Sequence, residues 1–286
     1  MIKFISCILT FVFSFVIFSA AAHQPVMDMA PRWEEGYGFQ IRHESYGSNK
    51  LMKGDSEIAN NANDKFSVNT NWFEAVYTFD KSKRITFKLP YVKKTKTTDS
   101  ITKTKEGFGD LILAMPLKQY HNQKGFTYNF GLTPQIRLPT GDDSGDLAIS
   151  DGSTDLGLSF SYSSETPTFY QLYDIFYWVN NKGSRGMNDG NELGLDINLG
   201  YHNIHRNETN AGMFLIWDLS ARKKQQGHTL NNQINGSSLI QTGPVLVLYK
   251  DNIMFRGEYK LPIYESFKNT GFSRGKEINI IIGLTY

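Results

Sequence analysis

The end of the chain alternates. Counting back, Tyr286, Leu284, Ile282, Ile280 and Ile278 are large and apolar, with Thr285, Gly283, Asn279 and Glu277 between them; only Ile281 breaks the period of two. Successive side chains of a β-strand point to opposite faces, so this pattern predicts a strand with one greasy face. It recurs upstream. Tyr37, Phe39 and Ile41 alternate with Gln40, Arg42 and Glu44, and Ile85, Phe87, Leu89 and Tyr91 alternate with Arg84, Thr86 and Lys88. It is cleanest where Phe126, Tyr128, Phe130, Leu132, Ile136 and Leu138 face away from Thr127, Asn129, Gly131, Thr133, Gln135 and Arg137. Further strands are expected over 66–79, 111–117, 156–162, 169–179, 193–201, 213–219, 239–249 and 253–263.

The count is about twelve, an even number, and most segments approach the roughly 9–11 residues a tilted strand needs to cross a bilayer. Links after odd-numbered strands (47–65, 93–106, 141–153, 180–191, 223–237, 265–276) are long and polar, whereas those after even-numbered strands are short. A membrane barrel sorts its loops this way, with long ones outside the cell and tight turns in the periplasm. A soluble sandwich has no reason to. The expected fold is all-β: a closed antiparallel transmembrane β-barrel.

The start of the chain differs. Met1-Ile2-Lys3, an apolar run over 4–18 and Ser19-Ala20-Ala21-Ala22 read as a secretory signal peptide over 1–22, cut after Ala22. Residues 23–36, with two prolines and no period, are expected to be a periplasmic lead-in, and 37–286 the barrel. Cys7, the sole cysteine, falls in the leader, so the mature chain can form neither disulfides nor cysteine-ligated metal sites. The net charge is +2, without a basic block, which argues against a nucleic-acid partner. No cofactor is expected and no catalytic residue is assigned.

With grease outward, the opposite face lines a bore. Arg42, Glu74, Lys88, Arg137, Asp155, Asp196, Asp218, Arg256, Glu258 and Lys260 are expected to line it, as cross-strand charge pairs or as a solute pathway. Gly131, Gly157, Gly194, Gly200, Gly212 and Gly283 are expected to leave room there. A barrel of this size lies between the filled eight-stranded kind and the open 16- to 18-stranded kind, which suggests a narrow mixed-charge conduit. Tyr37, Tyr162, Tyr201 and Trp217 are candidates for the interfacial aromatic girdles.

The closing strand, Ile278, Ile280, Ile282, Leu284 and terminal Tyr286, resembles those of bacterial outer-membrane barrels, which implies recognition by the barrel-assembly machinery. Gly107-Phe108-Gly109-Asp110-Leu111, Arg137-Leu138-Pro139-Thr140-Gly141-Asp142 and Ser153-Thr154-Asp155-Leu156-Gly157-Leu158 resemble the putative MetA-pathway of phenol degradation family. That resemblance implies an outer-membrane transporter, bathed in outer-membrane lipid, that passes a small solute, aromatic or hydrophobic, passively into the periplasm. The lead-in is much shorter than the hatch that plugs the distantly similar fatty-acid and toluene channels.

Two other chemistries have candidate residues. An exposed His23 with Met27 and Met29 would offer an amine, an imidazole and soft thioethers to copper or another metal. His43 and Ser45 share a strand face near the upper rim, where an outer-membrane hydrolase would need a nucleophile and its base.

Overall fold

A computed structural model describes residues 34–123, 126–145, 147–205, 211–227 and 236–286. The leader, Cys7 and the His23, Met27 and Met29 segment lie outside the described residues. The chain forms β1 (Gly36–Ser48), β2 (Leu51–Gly54), β3 (Ser56–Ile58), β4 (Lys65–Asp80), β5 (Lys83–Thr98), β6 (Ile101–Phe108), β7 (Leu111–Ala114) and β8 (Leu117–Gln123). It continues with β9 (Phe126–Leu138), β10 (Asp155–Glu165), β11 (Phe169–Val179), β12 (Glu192–His205), β13 (Ala211–Lys224), β14 (Ser237–Lys250), β15 (Ile253–Phe272) and β16 (Glu277–Thr285).

The sheet closes. Each spanning strand pairs antiparallel with its neighbour in sequence, and β1 pairs with β16 from Gly38↔Thr285 to Tyr46↔Glu277. β7 and β8 act as one strand interrupted at Met115-Pro116, so twelve strands make the wall. Proline has no N–H to give the ladder, yet the neighbours keep theirs: Met115 N–H donates to Pro134 O at 3.0 Å and Arg84 N–H to Pro116 O at 3.1 Å. Closure leaves the wall no edge. In hydrocarbon, where water cannot satisfy backbone groups, that is a requirement.

Outside and inside are chemically distinct. Ile41, Leu156, Trp217 and Ile282 are each more than half exposed, at 55%, 55%, 58% and 57%. Their strand neighbours Arg42, Asp155, Asp218 and Ile281 are shielded within the cylinder. The predicted leucine and isoleucine rows therefore face out, and the one residue that broke the period, Ile281, faces in.

Three expected loops are partly strand. The region 47–65 contains the β2–β3 hairpin, β15 runs on to Phe272, and 93–106 is the upper part of a β5–β6 hairpin pairing Tyr91↔Phe108 to Thr98↔Ile101. Above the lipid both faces of this hairpin meet water, so its polar residues carry no period. Hydroxyl pairs Thr95–Thr104 (3.2 Å) and Thr97–Thr102 (3.0 Å) brace it. Its tip places Asp99 and Ser100 at φ of 48° and 67°, as a tight type I′ hairpin turn requires.

Candidate functional site

All ten predicted charges sit on the shielded face, and cross-strand register joins them into four groups. Glu74 on β4 stands between Gln40 of β1 and Lys88 of β5. It accepts from Gln40 Nε2 at 2.6 Å and pairs with Arg42 at 3.1 Å and Lys88 at 4.0 Å. Asp218 on β13 pairs with Lys260 at 2.8 Å, Lys260 with Glu258 at 3.7 Å, and Glu258 with Arg256 at 2.5 Å. Asp155 pairs with Arg137 at 3.2 Å and also accepts from Asn181 N–H at 2.9 Å. Asp196 is held by both hydrogen bonds of a residue the sequence reading missed: Arg222 Nη2 reaches its oxygens at 2.8 and 2.9 Å. A shielded carboxylate without such partners would cost several kcal/mol, so the pairing explains why charge is tolerated here.

The network extends further towards the long-loop rim than expected. Arg274, in the link before β16, bridges Glu44 at 3.0 Å and Glu277 at 2.8 Å. Asn279 Nδ2 links Glu277 to Glu258 through bonds of 3.0 and 3.1 Å. Among the loops, Asp110 accepts from Gly141 N–H at 3.0 Å and from the Ser150 hydroxyl at 2.8 Å, tying the β9–β10 loop to the β6–β7 link.

Shielded aromatics accompany the arginines. Arg42 lies over Trp72 at 4.8 Å, Arg137 over Trp178 at 4.5 Å, Arg222 over Phe176 at 4.7 Å and Arg274 over Tyr46 at 3.6 Å. These rings correct the reading of the glycines. A Cβ at Gly157 would stand 2.8 Å from the Trp178 ring, one at Gly194 would overlap the Phe176 ring, and one at Gly212 would meet Tyr249 at 2.5 Å. Space left by the glycines at 157, 194 and 212 is thus filled by neighbouring aromatics, and that at Gly131 by Ser161. It does not widen the bore.

The inner face is not polar throughout. Near the short-turn rim, Tyr170, Phe214, Ile216, Val245, Val247, Tyr249, Met254 and Ile281 form a buried apolar cluster on β11 and β13–β16. On β13, Gly212, Phe214 and Ile216 alternate with Met213, Leu215 and Trp217, so both faces are apolar there. That uninterrupted run is the signal that could have revealed the cluster. His202 stacks on Phe214 at 4.7 Å, with its Nε2 2.8 Å from Thr166 O. Opposite, the buried Arg84 donates to the Tyr120 hydroxyl at 2.9 Å. Of the proposed girdle residues, Tyr37 and Tyr201 lie outward near strand ends. Trp217 sits mid-strand, opposite Leu199, within the greasy belt.

A closed cylinder, apolar outside with charged groups inside, is a transport barrel of the bacterial outer membrane. The chain belongs to the family described as "Putative MetA-pathway of phenol degradation", whose pattern matches residues 49–272. No curated protein sequence matches it. The fold is similar to that of the COG4313 outer membrane channel from Pseudomonas putida F1, with a TM-score of 0.70 at 14% identity over 95% of this chain and 100% of that one. The NanC porin resembles it less, with a TM-score of 0.45 at 13% identity over 87% of this chain and 98% of that one. The fold is one found in an outer-membrane channel, and the setting is lipid outside and assembly by the outer-membrane biogenesis machinery.

Proposed function

We propose that the barrel admits small aromatic or hydrophobic solutes, which pass down their concentration gradient into the periplasm through the bore lined by the ten charges named above. The observation that carries this reading is the arrangement of the inner face. Aromatic rings lie under guanidinium groups towards the long-loop end, and the Phe214–Val247 cluster lies towards the short-turn end. A flat apolar solute would find ring contacts beside the guanidinium groups, each weak enough to release it, while the packed cluster narrows the far end of its path. Charges bound to one another hold the wall without offering a tight site.

Liposome swelling across a panel of small aromatic, fatty and sugar solutes of matched size tests this. Aromatic solutes are expected to enter fastest, and Trp72→Ala, which removes a ring beside Arg42, is expected to slow them more than it slows sugars. Equal rates for the whole panel would make the protein a general pore and remove the aromatic assignment.

A further inference from the structure

Towards its long-loop side the outer face carries a polar interruption that the bore does not explain. On β1 the outward positions are Tyr37, Phe39, Ile41, His43 and Ser45, and on β4 they include Asn69, Asn71 and Phe73. Register sets His43 opposite Asn71 and Ser45 opposite Asn69. On the other side of β1, the same two residues face Ile280 and Ile278, which are exposed at 44% and 43%. Tyr91, beside Asn71 on β5, meets Phe108 edge-on at 5.3 Å, and Lys93, beside Asn69, pairs with Glu106 at 3.2 Å. The four polar side chains therefore sit where the greasy belt gives way to aromatic and charged groups, on the long-loop side. Ester groups of outer-leaflet lipids lie at that depth.

The geometry is directional. His43 Nδ1 lies 2.9 Å from Asn71 Oδ1. An amide oxygen only accepts, so Nδ1 carries the proton and Nε2 is left as the basic nitrogen. Ser45 follows two residues on along the same face, about 6–7 Å away at the backbone, a span an imidazole leaning along the strand can bridge. Among the described residues, the Ser45 hydroxyl has no hydrogen-bond partner. A hydroxyl, a base beyond it and a fixed acceptor orienting that base make up the arrangement that activates a serine, whatever the fold that supports it.

We propose that Ser45, His43 and Asn71 form a lipid-facing acyl-ester hydrolase site on the outside of the barrel, with Asn69 as its oxyanion donor. Ser45 Oγ attacks the acyl carbonyl carbon of a membrane lipid while His43 Nε2 takes the hydroxyl proton. The carbon–oxygen bond to the lipid's alcohol then breaks, and that oxygen leaves with the proton from Nε2. Water attacks the acyl-serine by the same route, releasing the fatty acid and restoring the hydroxyl. Asn71 is a positioning residue that holds the tautomer, and the Asn69 amide, directly across from Ser45, supplies a donor for the tetrahedral oxygen. The site is independent of the bore, so either assignment can fail without the other.

The test uses the full barrel refolded into vesicles of glycerophospholipid in one arm and of lipopolysaccharide in the other. Fatty-acid release is measured together with incorporation of a serine-reactive fluorophosphonate. Release in one arm identifies the lipid class, and in both arms the shared ester chemistry. Ser45→Ala and His43→Ala are expected to abolish both signals, Asn69→Ala to slow release by about 10²-fold, and Asn71→Ala to slow it by at least about tenfold. Asn71→Asp, which keeps the acceptor, is expected to recover most of the rate. Every variant should retain the heat-dependent gel mobility of a folded barrel and unchanged solute entry through the bore. Absence of both signals from the unsubstituted protein overturns the proposal, as does either signal surviving in Ser45→Ala.

Discussion

Tyr37 and Tyr286 exchange two backbone hydrogen bonds, each of 2.8 Å, at the seam where the first and last strands meet. Tyr286 thus belongs to the ladder that shuts the cylinder. Its deletion would free the Tyr37 N–H and C=O at the edge of the hydrocarbon, where each unpaired group costs several kcal/mol. Deleting Tyr286 is expected to lower the yield of the folded, fast-migrating form on unheated gels, whereas Tyr286→Phe is expected to keep it.

The lipid face gives the second prediction. Leu199, exposed in the middle of the belt, lies between Trp217 on β13 and Gln171 on β11, neither of which carries a charge. Leu199→Arg is expected to destabilise the barrel in vesicles by about 2–4 kcal/mol, the cost of a cation near the bilayer midplane. Equilibrium unfolding in denaturant checks this.

Glu74 gathers Arg42, Lys88 and Gln40 around one carboxylate whose side chain is 8% exposed. Glu74→Gln is expected to leave two cations facing the bore and to shift the reversal potential under a salt gradient towards anion preference. It should also destabilise the barrel, by less than the about 3–5 kcal/mol of a fully buried pair, because the side chains of Arg42 and Lys88 stay 26% and 39% exposed.

Gly194 and Phe176 share one volume. Gly194→Val is expected to cost about 1–3 kcal/mol by overpacking. Phe176→Ala introduced into the same chain should return part of that loss, a coupling that a double-mutant cycle reads directly.

The β9–β10 loop supplies a pH signature. The Ser144 hydroxyl, and then Lys105 at 2.9 Å, hold the Asp142 carboxyl well below the ordinary aspartate range. A depressed acid contributes stability that is complete above its unfolded value and is lost only as pH falls through the depressed one. Protection of the loop amides from hydrogen exchange, corrected for intrinsic rate, is therefore expected to be unchanged from neutral pH to about pH 5. It should fail only well below the usual aspartate titration, and Asp142→Asn should abolish that pH dependence.

Much of this architecture was legible because lipid is a strict solvent. Rows such as Phe126 to Leu138 keep a strong period of two wherever one face meets acyl chains, so strand number and loop order could be read directly. Legibility ended where that contrast ended. Lys93 to Thr98 is polar on both faces and read as loop, although it is strand; Phe214 and Ile216 are apolar within an apolar run, and their inward aim was hidden. Arg222 was missed because the loop was expected from Lys223, whereas β13 continues to Lys224. The bond from His43 to Asn71 depends on a register set across the β2–β3 excursion, which composition cannot supply. The glycines misled for a related reason, since the rings that occupy their space belong to the adjacent strand.

The central claim, lipid against one side of the wall and water against the other, is tested most directly by single cysteines at adjacent positions of β9. With Cys7 replaced by serine, Leu132→Cys and Thr133→Cys are each treated in vesicles with a small, water-soluble thiol reagent. Reaction at position 133 with protection at position 132 is the expected result, and the reverse order, or equal reaction at both, would contradict it.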